Sequence, residues 1–195
     1  SGDVYALDPD KGGAVVWHHK VGRGGLLGGV HWGMSADGDS LFVPIADTTI
    51  TGRFTGPVSP GIHALDPTSG EVRWYTPSVA DCEGKSPIPV CDQGMSAAIT
   101  STDQLVFAGS LDGNLNVYDS LSGEILWSFD TFGDFESVSG DTALGGSIES
   151  DGPVLYKGHV LINSGYQFGA RMPGNALMVF SLPPEADLAR STRDE

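Results

Sequence analysis

His31 and Trp32, adjacent in the glycine-rich run GGVHWGM, join an imidazole able to act as a general base to a flat indole on which a planar ligand can stack. Arg171 and Asn175, in YQFGARMPGN with Tyr166 and Gln167, form a second candidate set. A guanidinium there suits carboxylates or a developing oxyanion. Glu136 and Asp134, in DFESVSG, offer the oxygen ligands that Ca²⁺ prefers, and Glu136 is also a candidate catalytic carboxylate. Each reading has a plainer rival: a histidine can simply hydrogen-bond within its loop, and loop acids are commonly just solvated. Gln93 and Glu149 stand near the starts of two other strands, and Arg53 lies on a further long loop. His18, His19, His63 and His159 show no ligand spacing, and Asp112 in LDGN is accounted for by turn chemistry. No phosphate-binding glycine loop and no G-x-S-x-G appears.

The elements that must carry these residues repeat. The hairpin IHALDPTSGEVRW at 62–74 recurs as VYALDPDKGGAVVW at 4–17 and LNVYDSLSGEILW at 115–127. Its aspartates, Asp8, Asp66 and Asp119, and its tryptophans, Trp17, Trp74 and Trp127, return at a spacing of about 55 residues, a period typical of four-stranded propeller blades. The reading is an all-β fold: a partial β-propeller of about three and a half antiparallel blades, an open arc of a larger ring. Blade pieces are expected at about 1–20, 30–75, 94–129 and 146–183, with an acidic tail at 184–195. The first unit supplies only strands C and D, and the fourth lacks D. Each aspartate caps a turn, each turn glycine takes a positive φ, and each tryptophan packs between blades.

Alternating strand direction sorts the connections onto two faces. The A–B and C–D turns are short; the B–C and D–A connections on the other face are long, and long loops are where function concentrates. Every candidate above lies on or beside that second face.

Composition narrows the partners. The formal net charge of −15 disfavours nucleic acid and anionic membranes. No stretch is apolar and long enough to cross a bilayer. Cys82 and Cys91, the only cysteines, flank a loop with turn-forming Gly84, Pro87 and Pro89, which favours a disulfide and an oxidising compartment over a thiolate metal site. The chain opens on Ser1 inside a repeat, so a processed product or a fragment is expected.

With its segments in order, the sequence resembles a known family. ALDPTSGEVRW and VYDSLSGEILW are similar to the tryptophan-docking repeat of pyrroloquinoline-quinone (PQQ) propellers. GGVHWGMSADG, FDTFGDFESVSG, GGSIESDGPV and NSGYQFGARMPGNALMVFS together resemble the C-terminal half of polyvinyl-alcohol-dehydrogenase-type quinoproteins. The resemblance implies a periplasmic or secreted enzyme that oxidises secondary alcohols with PQQ beside Ca²⁺ and passes electrons to a cytochrome c. It implies that Trp32, Gln93, Arg171 and Asn175 line the cofactor, that His31 or Glu136 is the catalytic base, and that Glu136 or Asp134 binds Ca²⁺. It also implies that the remainder of the ring comes from a preceding part of the protein or from another chain. No C-x-x-C-H is present for covalent haem. The rival reading is a non-enzymatic propeller scaffold in a larger assembly; a third is a polymer-binding surface using Trp32, Phe135 and Tyr166.

Overall fold

The computed structural model describes residues 1–25, 28–48, 54–88, 90–166 and 169–182. Arg53, Gln167, Pro89 and the acidic tail therefore lie outside the described residues. The described chain is a run of antiparallel meanders. β1 (Asp3–Asp8) and β2 (Ala14–Lys20) pair alone. β3 (Ser35–Ala36), β4 (Leu41–Ile45), β5 (Gly61–Leu65) and β6 (Val72–Pro77) form a four-stranded sheet in chain order. So do β7 (Thr100–Ser101), β8 (Leu105–Gly109), β9 (Asn114–Asp119) and β10 (Ile125–Asp130). A separate hairpin follows, β11 (Gly133–Glu136) with β12 (Thr142–Gly145), and then a three-stranded sheet of β13 (Val154–Tyr156), β14 (His159–Ser164) and β15 (Ala176–Ser181). These are the blades of an open propeller arc. The β11–β12 hairpin stands where the sequence reads as a plain loop.

The repeated C–D hairpin shows why the motif needs its residues. Asp66 Oδ1 accepts from the backbone N–H of Thr68 (2.8 Å) and Ser69 (3.1 Å), and Asp119 Oδ1 accepts from Leu121 (3.0 Å) and Ser122 (2.8 Å). Such bonds favour the ionised form, so both carboxyls sit below their ordinary pKa; for Asp66, bonds from the Thr68 hydroxyl and Arg73 add most. A bulge then shifts register in all three hairpins, placing Trp17 opposite Ala6, Trp74 opposite Ala64 and Trp127 opposite Val117. The small partner lets the indole lie over the sheet and reach the next blade. Trp17 Nε1 donates to Pro67 O and Trp74 Nε1 to Ser120 O, each at 3.0 Å. Trp127 instead meets Phe180 of β15 edge-on, with centroids 5.4 Å apart.

Three apolar clusters sit between successive sheets. Val4, Val43, Ile45 and Leu65 join the first pair; Phe42, Ile62, Met95, Val106 and Tyr118 the second; Leu115, Ile148 and Ile162 the third. Each fully buried side chain of this size contributes about 1.5–3 kcal/mol. Those contacts run between blades rather than within one sheet, so the arc's curvature is fixed by its core.

Long connections of the second face are tied to each other, blade by blade. Asp47 joins the loop at 21–30 to the loop at 46–60, Asp81 N donates to Asp112 Oδ2 (3.0 Å), and Leu144 N donates to Asn175 Oδ1 (2.8 Å). Each link connects a D–A segment to a B–C segment. The two loop classes share one face, as strand alternation requires.

Candidate active site

One backbone hydrogen bond recurs in three blades and fixes which residues are equivalent. Ala46 N donates to Gly29 O (3.0 Å), Leu111 N to Gly94 O (3.0 Å) and Gly165 N to Ser147 O (2.9 Å). Two residues beyond each acceptor stand His31, Ser96 and Glu149. All three lie just ahead of or along the inner edge of a sheet, and adjacent edges touch: Trp32 N donates to Ser96 O (3.4 Å) and Ala98 N to Ser150 O (3.2 Å). The arc therefore sets an imidazole, a hydroxyl and a carboxylate in a row on neighbouring inner edges. The position equivalent to His31 is Ser96, not Gln93, which lies three residues earlier and half-buried.

His31 Nδ1 is 2.7 Å from the buried hydroxyl of Ser96. Burial lowers the pKa of His31; the nearby Glu149 charge opposes that shift and Arg171 reinforces it. The neutral imidazole is thus favoured, and with Nδ1 engaged its Nε2 is the atom left for chemistry. Trp32 tilts against the His31 ring at 5.0 Å and is 47% exposed, a flat wall open to a ligand.

Arg171 comes to the same place from the last B–C connection. Its Nε is 3.7 Å from Glu149 Oε1, with both side chains 1% exposed. Ser147 holds the segment there: its N–H donates to Met172 O (3.0 Å), its hydroxyl donates to Leu111 O (2.6 Å), and Met172 N donates to that same hydroxyl (3.1 Å). A buried ion pair thus stands close enough to the half-buried imidazole for both of its charges to act on it.

Other expected residues fall elsewhere. Asn175 is exposed and uses its Oδ1 to hold Leu144 N, while its own N–H donates to Leu144 O (2.6 Å); it clamps the β11–β12 hairpin to its neighbour. Asp134 and Glu136 lie on the exposed face of β11 with Phe135 between them turned inward toward Phe129. No described contact joins Glu136 to His31. Tyr166 is exposed, and its hydroxyl donates to Asn175 O (3.3 Å). Asp112 is buried, accepting from Asn114 N, Asp81 N and the Ser110 hydroxyl, as its turn role requires. Cys82 and Cys91 form a disulfide.

The donor set fits one of the two groups that the sequence resemblance implies. A half-buried imidazole and an open indole, with the charge of the buried Arg171 behind them, suit a flat, polycarboxylated quinone such as PQQ. Ca²⁺ is not so served: no three His, Cys, Asp or Glu residues converge on a metal position among the described residues. Asp134 and Glu136 have no third such ligand beside them. Sequence reading passed over Ser96, because a small hydroxyl gives no pattern until strand equivalence is known, and it noted Glu149 without its arginine.

Comparison with known proteins follows the same lines. At residues 1–138 and 59–168 the chain matches the family described as outer membrane protein assembly factor BamB, a PQQ-type propeller repeat. It is 34% identical over 192 residues to a polyvinylalcohol dehydrogenase from a Pseudomonas species, covering 93% of this chain and 29% of that protein. It is 33% identical over 112 residues to a 1-butanol dehydrogenase (cytochrome c) from Thauera butanivorans, covering 56% of this chain and 15% of that one. The chain thus spans under a third of the length of these relatives. The crystal structure of BamB from Moraxella catarrhalis superposes with a TM-score of 0.56 at 19% identity, over 85% of this chain and 41% of that one, which shows a shared propeller fold. The match over most of its length makes this chain a member of the PQQ-type propeller-repeat family to which BamB gives its description.

Proposed function

We propose that the chain contributes one arc of a quinoprotein ring that oxidises alcohols, with PQQ as the bound oxidant. One observation carries the reading: His31, Ser96 and Glu149 stand at equivalent positions on neighbouring inner edges, with Arg171 set against the last. Bound PQQ would supply the two-electron acceptor that no side chain here can provide. Trp32 would stack on its plane, and Arg171, buried against Glu149, would set the charge beneath its carboxylates or quinone oxygens. His31 would take the hydroxyl proton of the alcohol at Nε2 while Ser96 fixes the ring through Nδ1. Glu149 would offset the positive charge that His31 then carries. Gln93 lies on the segment leading to Ser96, within reach of a supporting role. Glu136 and Asn175, on the hairpin and its clamp, would shape the rim rather than touch the reacting atoms.

Names of the relatives support the finer choices. Polyvinyl alcohol carries secondary hydroxyls, and the butanol enzyme's name includes cytochrome c, so secondary alcohols and a cytochrome c acceptor are the proposed substrate class and partner. The disulfide suits a periplasmic or secreted protein. The small share of the relatives that the chain covers supports a ring completed by further chain.

A scaffold reading is favoured by the family description and by the BamB superposition. Reconstitution of the complete protein with PQQ decides between them. The enzyme reading expects PQQ-dependent dye reduction with a secondary alcohol, lost in His31→Gln; absence of both binding and turnover selects the scaffold.

A further inference from the structure

The turn at 110–113, between β8 and β9, holds the candidate site from behind. Leu111 N donates to Gly94 O (3.0 Å), two residues ahead of Ser96, and Ile148 N, next to Glu149, donates to Ser110 O (3.1 Å). The Ser147 hydroxyl donates to Leu111 O (2.6 Å). One tight turn thus positions two of the three equivalent inner-edge residues. It belongs to the β7–β10 sheet, which has a neighbouring sheet of this chain on either side.

Asp112 of this turn is the counterpart of Asp47, one residue beyond Leu111 as Asp47 is beyond Ala46, and both are 1% exposed. Asp47 accepts backbone N–H groups from Arg23, Gly24, Gly29 and Ser59. Among the described residues Asp112 accepts one from the D–A connection facing it, Asp81 N; its bonds from the Ser110 hydroxyl and Asn114 N stay within the hairpin. A cation supplies the rest. Lys85, on that same connection, donates from Nζ to Asp112 O (2.8 Å), lies 3.0 Å from both oxygens of Asp130, and stands over the Phe132 ring. Its side chain is 4% exposed, rare for a lysine. In the preceding blade Arg23 Nη2 donates likewise to Thr48 O (2.8 Å).

The loop that carries Lys85 is closed covalently by Cys82 and Cys91. Within it Lys85 N donates to Cys82 O (3.2 Å) and Cys91 N to Pro87 O (3.4 Å). Burying a lysine costs side-chain entropy, and a loop already closed has less backbone freedom to lose. Beyond the buried Cys91, Asp92 accepts from Gly94 N (2.9 Å), so the disulfide also adjoins the segment that leads to Ser96.

We propose that Lys85 is a positioning residue for the candidate site, presented by the Cys82–Cys91 disulfide: it fastens the turn at 110–113 and, through it, Ser96 and Glu149, so that reducing the disulfide loosens the site. An external dithiol supplies the two electrons and two protons, becoming a disulfide as Cys82 and Cys91 become thiols. Asp130 and Asp81, with side chains 44% and 62% exposed, are then left to water rather than stranded, so the loss is local. The catalytic meaning of this role rests on the function proposed above, whereas the fastening itself is read with no cofactor present.

Hydrogen exchange and histidine NMR on the complete, cofactor-free protein test it. In Lys85→Met, and in the unaltered protein treated with dithiothreitol, the Leu111 and Ile148 amides should exchange about tenfold faster or more, the worth of a hydrogen bond to a charged group. Ala46 N, which makes the equivalent bond to Gly29 O one blade earlier, should not change. The ring-nitrogen signals of His31 should shift with both treatments and those of His63 with neither. Reducing the Lys85→Met protein should add little to either change alone, and re-oxidation should restore the unaltered protein. If Lys85→Met does not fold, the dithiothreitol arm gives the same readouts. Unchanged exchange at Leu111 and Ile148 overturns the proposal, as does equal acceleration at Ala46, which means general loosening. Faster exchange with the His31 signals unmoved overturns the positioning role and leaves Lys85 a purely structural residue.

Discussion

His31 Nδ1 and Ser96 Oγ, 2.7 Å apart, join the same position of two adjacent blades. The bond engages Nδ1 and leaves Nε2 to take a proton in the proposed reaction. Ser96→Ala should lower kcat/KM by about three- to tenfold, the worth of one ordinary hydrogen bond, with Tm nearly unchanged. Ser96→Thr, which keeps the hydroxyl, should restore most of the rate. An alanine variant with full activity would remove Ser96 from the machinery.

Burial gives His31 and His63 pKa values below the ordinary imidazole value. For both, the unfolded chain binds protons more readily than the folded one, so stability rises with pH through this range. Their contribution is complete above about 6.5, the unfolded value, and declines as pH falls from there through the lowered folded values. Thermal melts between pH 8 and 5 should show a decline that His63→Gln reduces. The acidic limb of kcat/KM should lie below pH 6.5, where a base at His31 with its lowered pKa takes up its proton.

The hairpin repeat was readable because each of its requirements has its own residue type: a capping acid at Asp66, a left-handed glycine at Gly70, a bridging ring at Trp74. Period and chemistry agreed, so the fold and the sorting of the loops onto two faces followed. The site was harder to read. Ser96 and Glu149 are equivalent to His31 only through the recurring Gly29, Gly94 and Ser147 acceptor bond, and three different side chains at one position leave no repeat to detect. Asn175 lies with Arg171 on the last long connection, and only the folded chain shows its oxygen accepting from Leu144 N. The β11–β12 hairpin did carry a signal, the alternation around Phe135 before Ser-Gly-Asp, which its place between two blades obscured.

Glu149 and Arg171 are both 1% exposed, so removing either charge strands the other in a low dielectric. Arg171→Met should destabilise the protein by about 3–5 kcal/mol. The double variant Glu149→Gln/Arg171→Met should recover most of that loss, since neither charge remains. PQQ affinity should stay low in the double variant. Recovery of both stability and affinity would confine Arg171 to a structural role.

Asp47 is the second face's main fastener, and its two oxygens divide the work. Oδ1 accepts from Gly24 N (2.9 Å) and Gly29 N (3.1 Å), and Oδ2 accepts from Arg23 N (2.7 Å) and Ser59 N (3.1 Å). Its φ of +34° is one that asparagine also tolerates. Asp47→Asn should nevertheless cost about 3 kcal/mol, because the amide puts an N–H₂ against two backbone donors that need an acceptor. The loss should be local before it is global. Hydrogen exchange should speed up first at one pair of amides, Arg23 with Ser59 or Gly24 with Gly29, according to which way the amide turns. Because Gly29 precedes His31 by two residues, KM should rise as the loop loosens, while Ser96 still holds the imidazole and kcat changes less.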